Sequence, residues 1–367
     1  VRSAIVGLTG IAGGLLLFAV FVFAIGQQPL LVLATIAEGA FSSAFAWQNT
    51  LLRAAPLILA GLAVAIPAQV GLVVIGGEGA LALGGLAAAA FGLAAAQAGA
   101  TAYVVIVVAA IAGMAFGALT LALAGALRAW RGMNETIASL LISYIAIALF
   151  NHVVDGPLRD PASLNKPSTA PLPDAAMIGP MPGTDVHWGL ALGVIAAVLA
   201  QLLVSRTTLG FAMRVAGGNA RAARLVGLPV PLLLVAACAL GGACAGLAGA
   251  IEVLAVHGSA NASLIAGFGY TGILVAFIAR QQPLAVVPVS VLLGGIAAAG
   301  SLLQRRLDLP DATTLVLQGL LFVAILAAEA LHGRIDWRLR PLGLRQGRDA
   351  ATRAPAAPGS AAQGGAR

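Results

Sequence analysis

Three carboxylates, Glu78, Glu135 and Glu252, stand in or at the ends of long apolar runs. A carboxylate in such surroundings is costly unless it is paired, hydrogen-bonded or wet, so each is a functional candidate. Glu135 follows Asn134 at the start of an apolar run, where a carboxylate in the first helical turn suits the helix dipole. Glu78 sits among glycines, where its chemistry is hydrogen bonding to backbone N–H groups freed by a broken helix. Glu252 carries no such cue. The other reactive residue types exclude more than they suggest. The chain has a single lysine, Lys166, between Asn165 and Pro167, so the lysine of a Gly-x-x-x-x-Gly-Lys-Ser/Thr phosphate loop is missing. His152, His187, His257 and His332 are scattered, and no His-Glu-x-x-His is present, which leaves no metal-hydrolase reading. Cys238 and Cys244 lie six residues apart in one apolar run, about 600° around a helix, and form neither a disulfide framework nor a metal site. No catalytic residue and no metal ligand is expected.

The elements that must position these groups are set by composition. The 367 residues are 60% hydrophobic and 9% charged, with a mean hydropathy of +1.00. A soluble domain is about a quarter charged, and a core of this size could not hide so much apolar surface from water. In lipid the backbone must satisfy its own hydrogen bonds, and apolar runs of about 20 residues without period-two alternation select helices over a barrel. The expected fold is all-α and polytopic, with about ten spans: Ile5–Ile25, Leu51–Ile66, Glu78–Ala96, Tyr103–Leu127, Thr136–Val154, Trp188–Val204, Leu232–Val253, Leu264–Ala279, Leu284–Leu303 and Thr313–Leu331. The first is read as a retained span, since its apolar core exceeds that of a signal peptide.

Charge orients these spans. With both termini inside, 15 of the 20 basic residues fall on inner segments, and Arg53, Arg159, Lys166, Arg305 and Arg306 remain outside. The net charge of +7 thus reflects the positive-inside rule and contact with anionic membrane lipid. Nucleic acid is not an expected partner. The organisation expected is a transmembrane domain over 1–333 and a disordered basic cytoplasmic tail over 334–367. The domain includes an extended outer loop (155–187, with seven of the 18 prolines) and an inner loop (206–231).

Two segments break the helical pattern within the membrane, Gln69 to Gly85 and Ser259 to Gly272, both rich in glycine. Broken helices at matching positions of two halves point to a substrate path, while Gly113/Gly117 and Gly242/Gly246 suggest close helix packing instead. In the inner loop, Asn219 is placed as an N-cap, Ala220 to Val226 favours helix, and Gly227 with Pro229 stops it. Arg221 and Arg224 then share one face of a helix of about two turns. A loop that merely orients the chain and a docking helix for a cytoplasmic partner are both open readings, and the caps at both ends favour docking.

These residues carry a resemblance. Gly71-Leu-Val-Val-Ile-Gly-Gly-Glu-Gly79 is similar to the Asn-Ile-Gly-x-Glu-Gly-Gln signature of ABC permeases for ribose, simple sugars and nucleosides, a group related to branched-chain amino acid permeases. Asn134-Glu-Thr-Ile-Ala-Ser-Leu-Leu-Ile-Ser-Tyr-Ile-Ala146, Asn151 and Gly156-Pro-Leu-Arg-Asp-Pro161 look like nucleoside-type members. The inner loop, Gly246-Leu-Ala-Gly-Ala-Ile-Glu252, Gly267-Phe-Gly-Tyr-Thr-Gly-Ile-Leu-Val-Ala276, Arg280 and Pro283 continue it, so that the resemblance covers about residues 50 to 330. The chain departs at Val74-Ile75, Gly77, Ala80 and the order Val215-Ala216.

The resemblance implies the non-catalytic permease of an ATP-driven importer in the bacterial inner membrane. Its solute would be a nucleoside or simple sugar, with a pentose or branched-chain amino acid as rivals. The implied partners are a cytoplasmic ABC ATPase, a second permease subunit and an extracytoplasmic substrate-binding protein. No cofactor is expected on this chain, since ATP and Mg would sit on the ATPase. The expected ATPase-coupling residues are Arg214, Asn219, Arg221, Ala222, Ala223, Arg224 and Gly227. The expected path residues are Gly76, Gly77, Glu78, Gly79, Asn134, Glu135, Asn151, Phe268 and Tyr270. The reading from a different class is an ion- or proton-coupled secondary transporter that uses Glu78 or Glu252.

Overall fold

The computed structural model describes residues 2–338 apart from 164 and 165. Its helices are α1 (Arg2–Ala24), α2 (Pro29–Phe41), α3 (Ala44–Ala68), α4 (Gly77–Gln97), α5 (Ala102–Arg131), α6 (Glu135–Asp155), α7 (Gly189–Arg206), α8 (Thr208–Gly218), α9 (Ala220–Leu225), α10 (Val230–Ile251), α11 (Phe268–Ile278), α12 (Val286–Ala298), α13 (Gly300–Leu307) and α14 (Ala312–Arg338). Among the described residues there is no β-strand, only two isolated bridges. Seven helical segments are long and apolar enough to cross a membrane, and α1 with α2, bent by 117°, makes an eighth candidate. Two shorter apolar helices, Ala262–Ile278 and Ala312–Ala328, account for the other two of the ten apolar stretches in the sequence.

The packing core is α4, α5 and α10, held together through glycines. A Cβ on Gly246 would meet the Gly113 carbonyl oxygen, and one on Gly242 would meet that of Gly117. Backbones that approach so closely gain dispersion contacts where lipid offers no hydrophobic drive between helices. Gly113/Gly117 and Gly242/Gly246 are therefore packing glycines. α3 lies against α10, α11 and α12, with an unbroken run of buried residues from Ala54 to Pro67.

The structure corrects several boundaries. Residues 26–50, expected as an outer segment, contain α2 and the start of α3. Gly26 (φ +80°) turns the chain, Pro29 occupies the first helical position, and Val32, Ile36 and Ala40 bury one face. Arg306 pairs with Glu38 at 2.5 Å, so α2 and the end of α13 share one end of the bundle. The expected span Leu264–Ala279 shortens to the 11 residues of α11. Ahead of it, Glu252–His257 winds as a π-helix and Ala262–Leu264 as a 3-10 turn. The span Leu284–Leu303 divides into α12 and α13 at Ala299. α14 runs on to Arg338, so the first five residues of the tail expected from 334 are helical. Its remainder, 339–367, lies outside the described residues.

The loop 155–187 is strapped along the π segment and the chain after it. Ile178 N–H donates to Leu254 O (2.7 Å), Leu172 N–H to Gly258 O (2.8 Å) and Thr169 N–H to Ala260 O (3.0 Å). His187, 4% exposed, accepts the Gly189 N–H on Nδ1 at 3.1 Å and ends the loop against α10.

Candidate functional site

α3 stops at Ala68, seven residues run without helix beyond Gln69, and α4 begins at Gly77. Glu78 is in the first turn of α4 and wholly buried. Its Oε1 accepts the Gly267 N–H at 2.7 Å, and its Oε2 accepts the Gly269 N–H at 2.6 Å. Those donors belong to the start of α11, whose N-cap Gly267 has φ +83°. The two glycine-rich breaks therefore meet, N-terminus against N-terminus. Each helix start carries unpaired N–H groups and a partial positive charge, and one carboxylate between them answers both. The approach requires glycine, since a Cβ on Gly269 would strike the Glu78 main chain, and Gly77 lies opposite it.

α6 holds the first break from the other side. Thr136, Ser139 and Ser143 recur at i, i+3 and i+7, so they share one face. Thr136 Oγ1 donates to Val73 O (2.8 Å), Ser139 Oγ accepts the Ile75 N–H (3.1 Å), and Ser143 Oγ accepts the Gly79 N–H (2.8 Å). Ser139 and Ser143 are fully buried, so these hydroxyls replace the helix bonds that the break gives up. Beside the clamp, Tyr144 and Tyr270 are 56% and 39% exposed and Phe268 is half-buried, which gives the break an aromatic rim. Sequence reasoning passed over the three hydroxyls and Tyr144. The spacing of the hydroxyls on an apolar helix was the available signal.

The inner loop folds as two helices. Asn219 ends α8 and caps α9, its Oδ1 accepting the Arg221 and Ala222 N–H groups at 3.0 and 3.1 Å. Gly227 (φ +82°) closes α9, with its N–H on Arg224 O and the Leu228 N–H on Ala223 O. Ala223 is buried beneath, and Arg221 and Arg224 are exposed beside Leu225 (89% exposed) and Val226 (71% exposed). α8, capped by Thr207, was not anticipated, because its glycines read as loop. Its end presses on the first break, where a Cβ on Gly217 would meet the Gln69 carbonyl oxygen and the backbone at Val70 and Gly71.

Residues 46–326 match the family model described as the permease component of the branched-chain amino acid transport system. The chain belongs to this permease family. The glucose ABC transporter permease protein TsgB13 of Haloferax volcanii is 30% identical over 336 residues, 86% of this chain and 84% of that protein. The guanosine ABC transporter permease protein NupP of Bacillus subtilis is 28% identical over 298 residues, 78% of this chain and 81% of NupP. The nucleoside ABC transporter permease protein NupB of Lactococcus lactis is 25% identical over 295 residues, 78% and 80% of the two chains.

The permease is thus a multi-pass membrane component of a transport system, and its own residues do not all gather at the clamp. Gly77 and Glu78 meet the start of α11, which carries Phe268 and Tyr270, while Gly76 and Gly79 pack against Ser139 and Ser143 of α6. Asn134 instead caps α6 through Thr136 and Ile137, and Glu135 pairs with Arg128 at 3.3 Å. Asn151 is exposed on α6, eight residues or about 12 Å along the helix from Ser143. These three are away from the carboxylate of Glu78. Arg214 belongs to α8, apart from the α9 pair. Glu252 is buried at the start of the π turn, 3.6 Å from His257. Among the described residues, no group of three or more His, Cys, Asp or Glu stands together as a metal site.

Proposed function

We propose that this permease forms the passage of an ATP-driven ABC importer for a small polar solute, a nucleoside or simple sugar. The observation that carries this reading is an unbroken line of backbone contact. α9 joins α8 at Asn219, α8 presses through Gly217 on Gln69–Gly71, and that break leads to Glu78, which holds the start of α11. A push on α9 therefore reaches the two broken helices without passing through any exposed side chain. α9 presents two guanidinium groups around an exposed Leu225–Val226 pair, a surface that fits a groove on a cytoplasmic ATPase. That ATPase carries ATP and Mg, and the start of α1 and the end of α14 lie on its side of the membrane. A substrate-binding protein docks on the loop 155–187, whose hydrogen bonds to the π segment link it to α10. A second permease subunit completes the passage.

Solute class follows from the clamp's surroundings. Phe268, Tyr144 and Tyr270 offer aromatic faces and two phenols, which suit a sugar ring or a nucleobase. The sugar and nucleoside names of the relatives support the same choice. Ion coupling through Glu78 is disfavoured, because both of its oxygens already accept backbone N–H groups. The test is the Arg221→Glu, Arg224→Glu double variant in the assembled importer. The expected result is loss of ATPase co-purification and of uptake, and retention of both contradicts the proposal.

A further inference from the structure

Beside α8, on the same side as α9, is a cavity of about 510 Å³ whose lining includes Gln69, Gln201, Arg214, Arg280, Gln281 and Gln282. The volume is that of a small-molecule site. The lining carries two guanidinium groups and four side-chain amides, with no carboxylate among its residues. The backbone at its edge is strained, since Arg280 (φ +52°) and Gln281 (φ +59°) adopt the left-handed conformation in succession without glycine. Such strain persists only when its surroundings enforce it, and it gathers at ligand clamps and switches. Here Gln69 enforces it, donating its Nε2 to both Ala65 O (3.1 Å) and Gln281 O (2.9 Å).

We propose that this cavity is a phosphate-anion site that takes a phosphomonoester of a small polar solute and holds the permease still when occupied. Guanidinium forks are the side chains best matched to phosphate oxygens, and amides serve the hydroxyls of the attached solute. Arg214 and Arg280 are both exposed at the mouth of the cavity, where they can reach an anion, and a neutral solute would offer them no counter-charge. The inference rests on the proposed function in one respect, that α8, the first break and the end of α11 must move in transport. The ligand would bridge all three, through Arg214, Gln69 and Arg280. Because the cavity lies on the side where ATP is spent, the phosphorylated form of an imported solute becomes a brake on further import.

Binding is measured on the purified full chain in nanodiscs, without ATPase, so that failure of the importer reading does not obscure it. The probes are inorganic phosphate, glucose 6-phosphate and guanosine monophosphate, each against glucose or guanosine, in phosphatidylcholine discs with and without phosphatidylglycerol. The phosphate esters are expected to bind and their neutral counterparts to fail. The Arg214→Gln, Arg280→Gln double variant should weaken binding by about tenfold or more. Arg221→Gln, on the neighbouring helix, should leave it unchanged. Arginine-dependent binding that phosphatidylglycerol displaces supports the site and assigns the phosphate to a lipid headgroup. Binding of equal strength in the double variant, or no binding of any phosphate probe in either lipid, overturns the proposal. In the assembled importer, glucose 6-phosphate or guanosine monophosphate on the ATPase side should lower uptake in the wild type and not in the double variant.

Discussion

The Glu78 carboxylate, in the first turn of α4, accepts the backbone N–H of Gly269, 191 residues further along the chain, at 2.6 Å. With the companion bond to Gly267, it joins two helix starts that would otherwise repel each other and leave N–H groups unpaired in an apolar interior. A glutamine is the same size but offers one acceptor where the carboxylate offers two, and it turns an amide N–H toward a backbone N–H. Glu78→Gln is expected to cost about 1–3 kcal/mol of stability and most of the uptake, while ATPase co-purification persists. Thermal unfolding in detergent and a pull-down separate the two effects. Wild-type uptake in Glu78→Gln would show that the clamp is dispensable.

Gly217 makes the link between the docking helices and the break, and it has no room for a side chain. Gly217→Val should separate hydrolysis from transport. The ATPase still docks on the unaltered α9 and turns over ATP, but uptake falls about tenfold or more as the Gln69–Gly71 backbone is displaced. The ratio of solute moved to ATP hydrolysed in proteoliposomes is the measurement. An unchanged ratio would mean that force travels by another route.

Ser139 and Ser143 are expected to be structural supports of the path. Removing either hydroxyl leaves an N–H unpaired, half-buried at Ile75 or buried at Gly79, for a loss of about 1–3 kcal/mol each. Because both bonds hold one segment, the double alanine variant should lose a different amount from the sum of the two singles. Chemical or thermal unfolding of the four-member cycle checks this.

His187 gives the outer loop a pH dependence. Burial pushes its imidazole below the ordinary 6.5, since the neutral ring is the one the packed loop accommodates. The unfolded chain then takes up a proton that the folded chain refuses. The stability from this group is complete above 6.5 and declines as pH falls from there toward the folded-state value. Melting curves between about pH 7.5 and 5.5 should show a steeper fall in Tm for wild type than for His187→Gln.

Local signals in the chain were readable where short-range geometry sets them. Asn219 and Gly227 bracket α9 through bonds of two to five residues' reach, and those cap preferences are written in the residue types. The apolar runs likewise announced helices in lipid. What could not be read was pairing at a distance. Glu78 among glycines implied a duty to free N–H groups, but nothing local says that they come from Gly267 and Gly269. The π turn at Glu252–His257 and the brevity of α11 escaped for a related reason. Hydropathy is blind to hydrogen-bond register, and Val253–Val256 simply continues the apolar run of α10. Asn134, Glu135 and Asn151 were grouped with the path by motif, whereas α6 spreads them along its length and commits the first two to a cap and an ion pair.

Transport by this route requires that engagement of α9 move the clamp. Spin labels at Tyr144→Cys and Tyr270→Cys, two exposed positions beside Glu78, report that directly in the assembled importer once Cys238 and Cys244 are replaced. ATP is predicted to shift the distance distribution between the labels, and the Arg221→Glu, Arg224→Glu background is predicted to abolish the shift. A distribution that ignores ATP in a complex that still transports, or that shifts equally without the two arginines, would contradict the account.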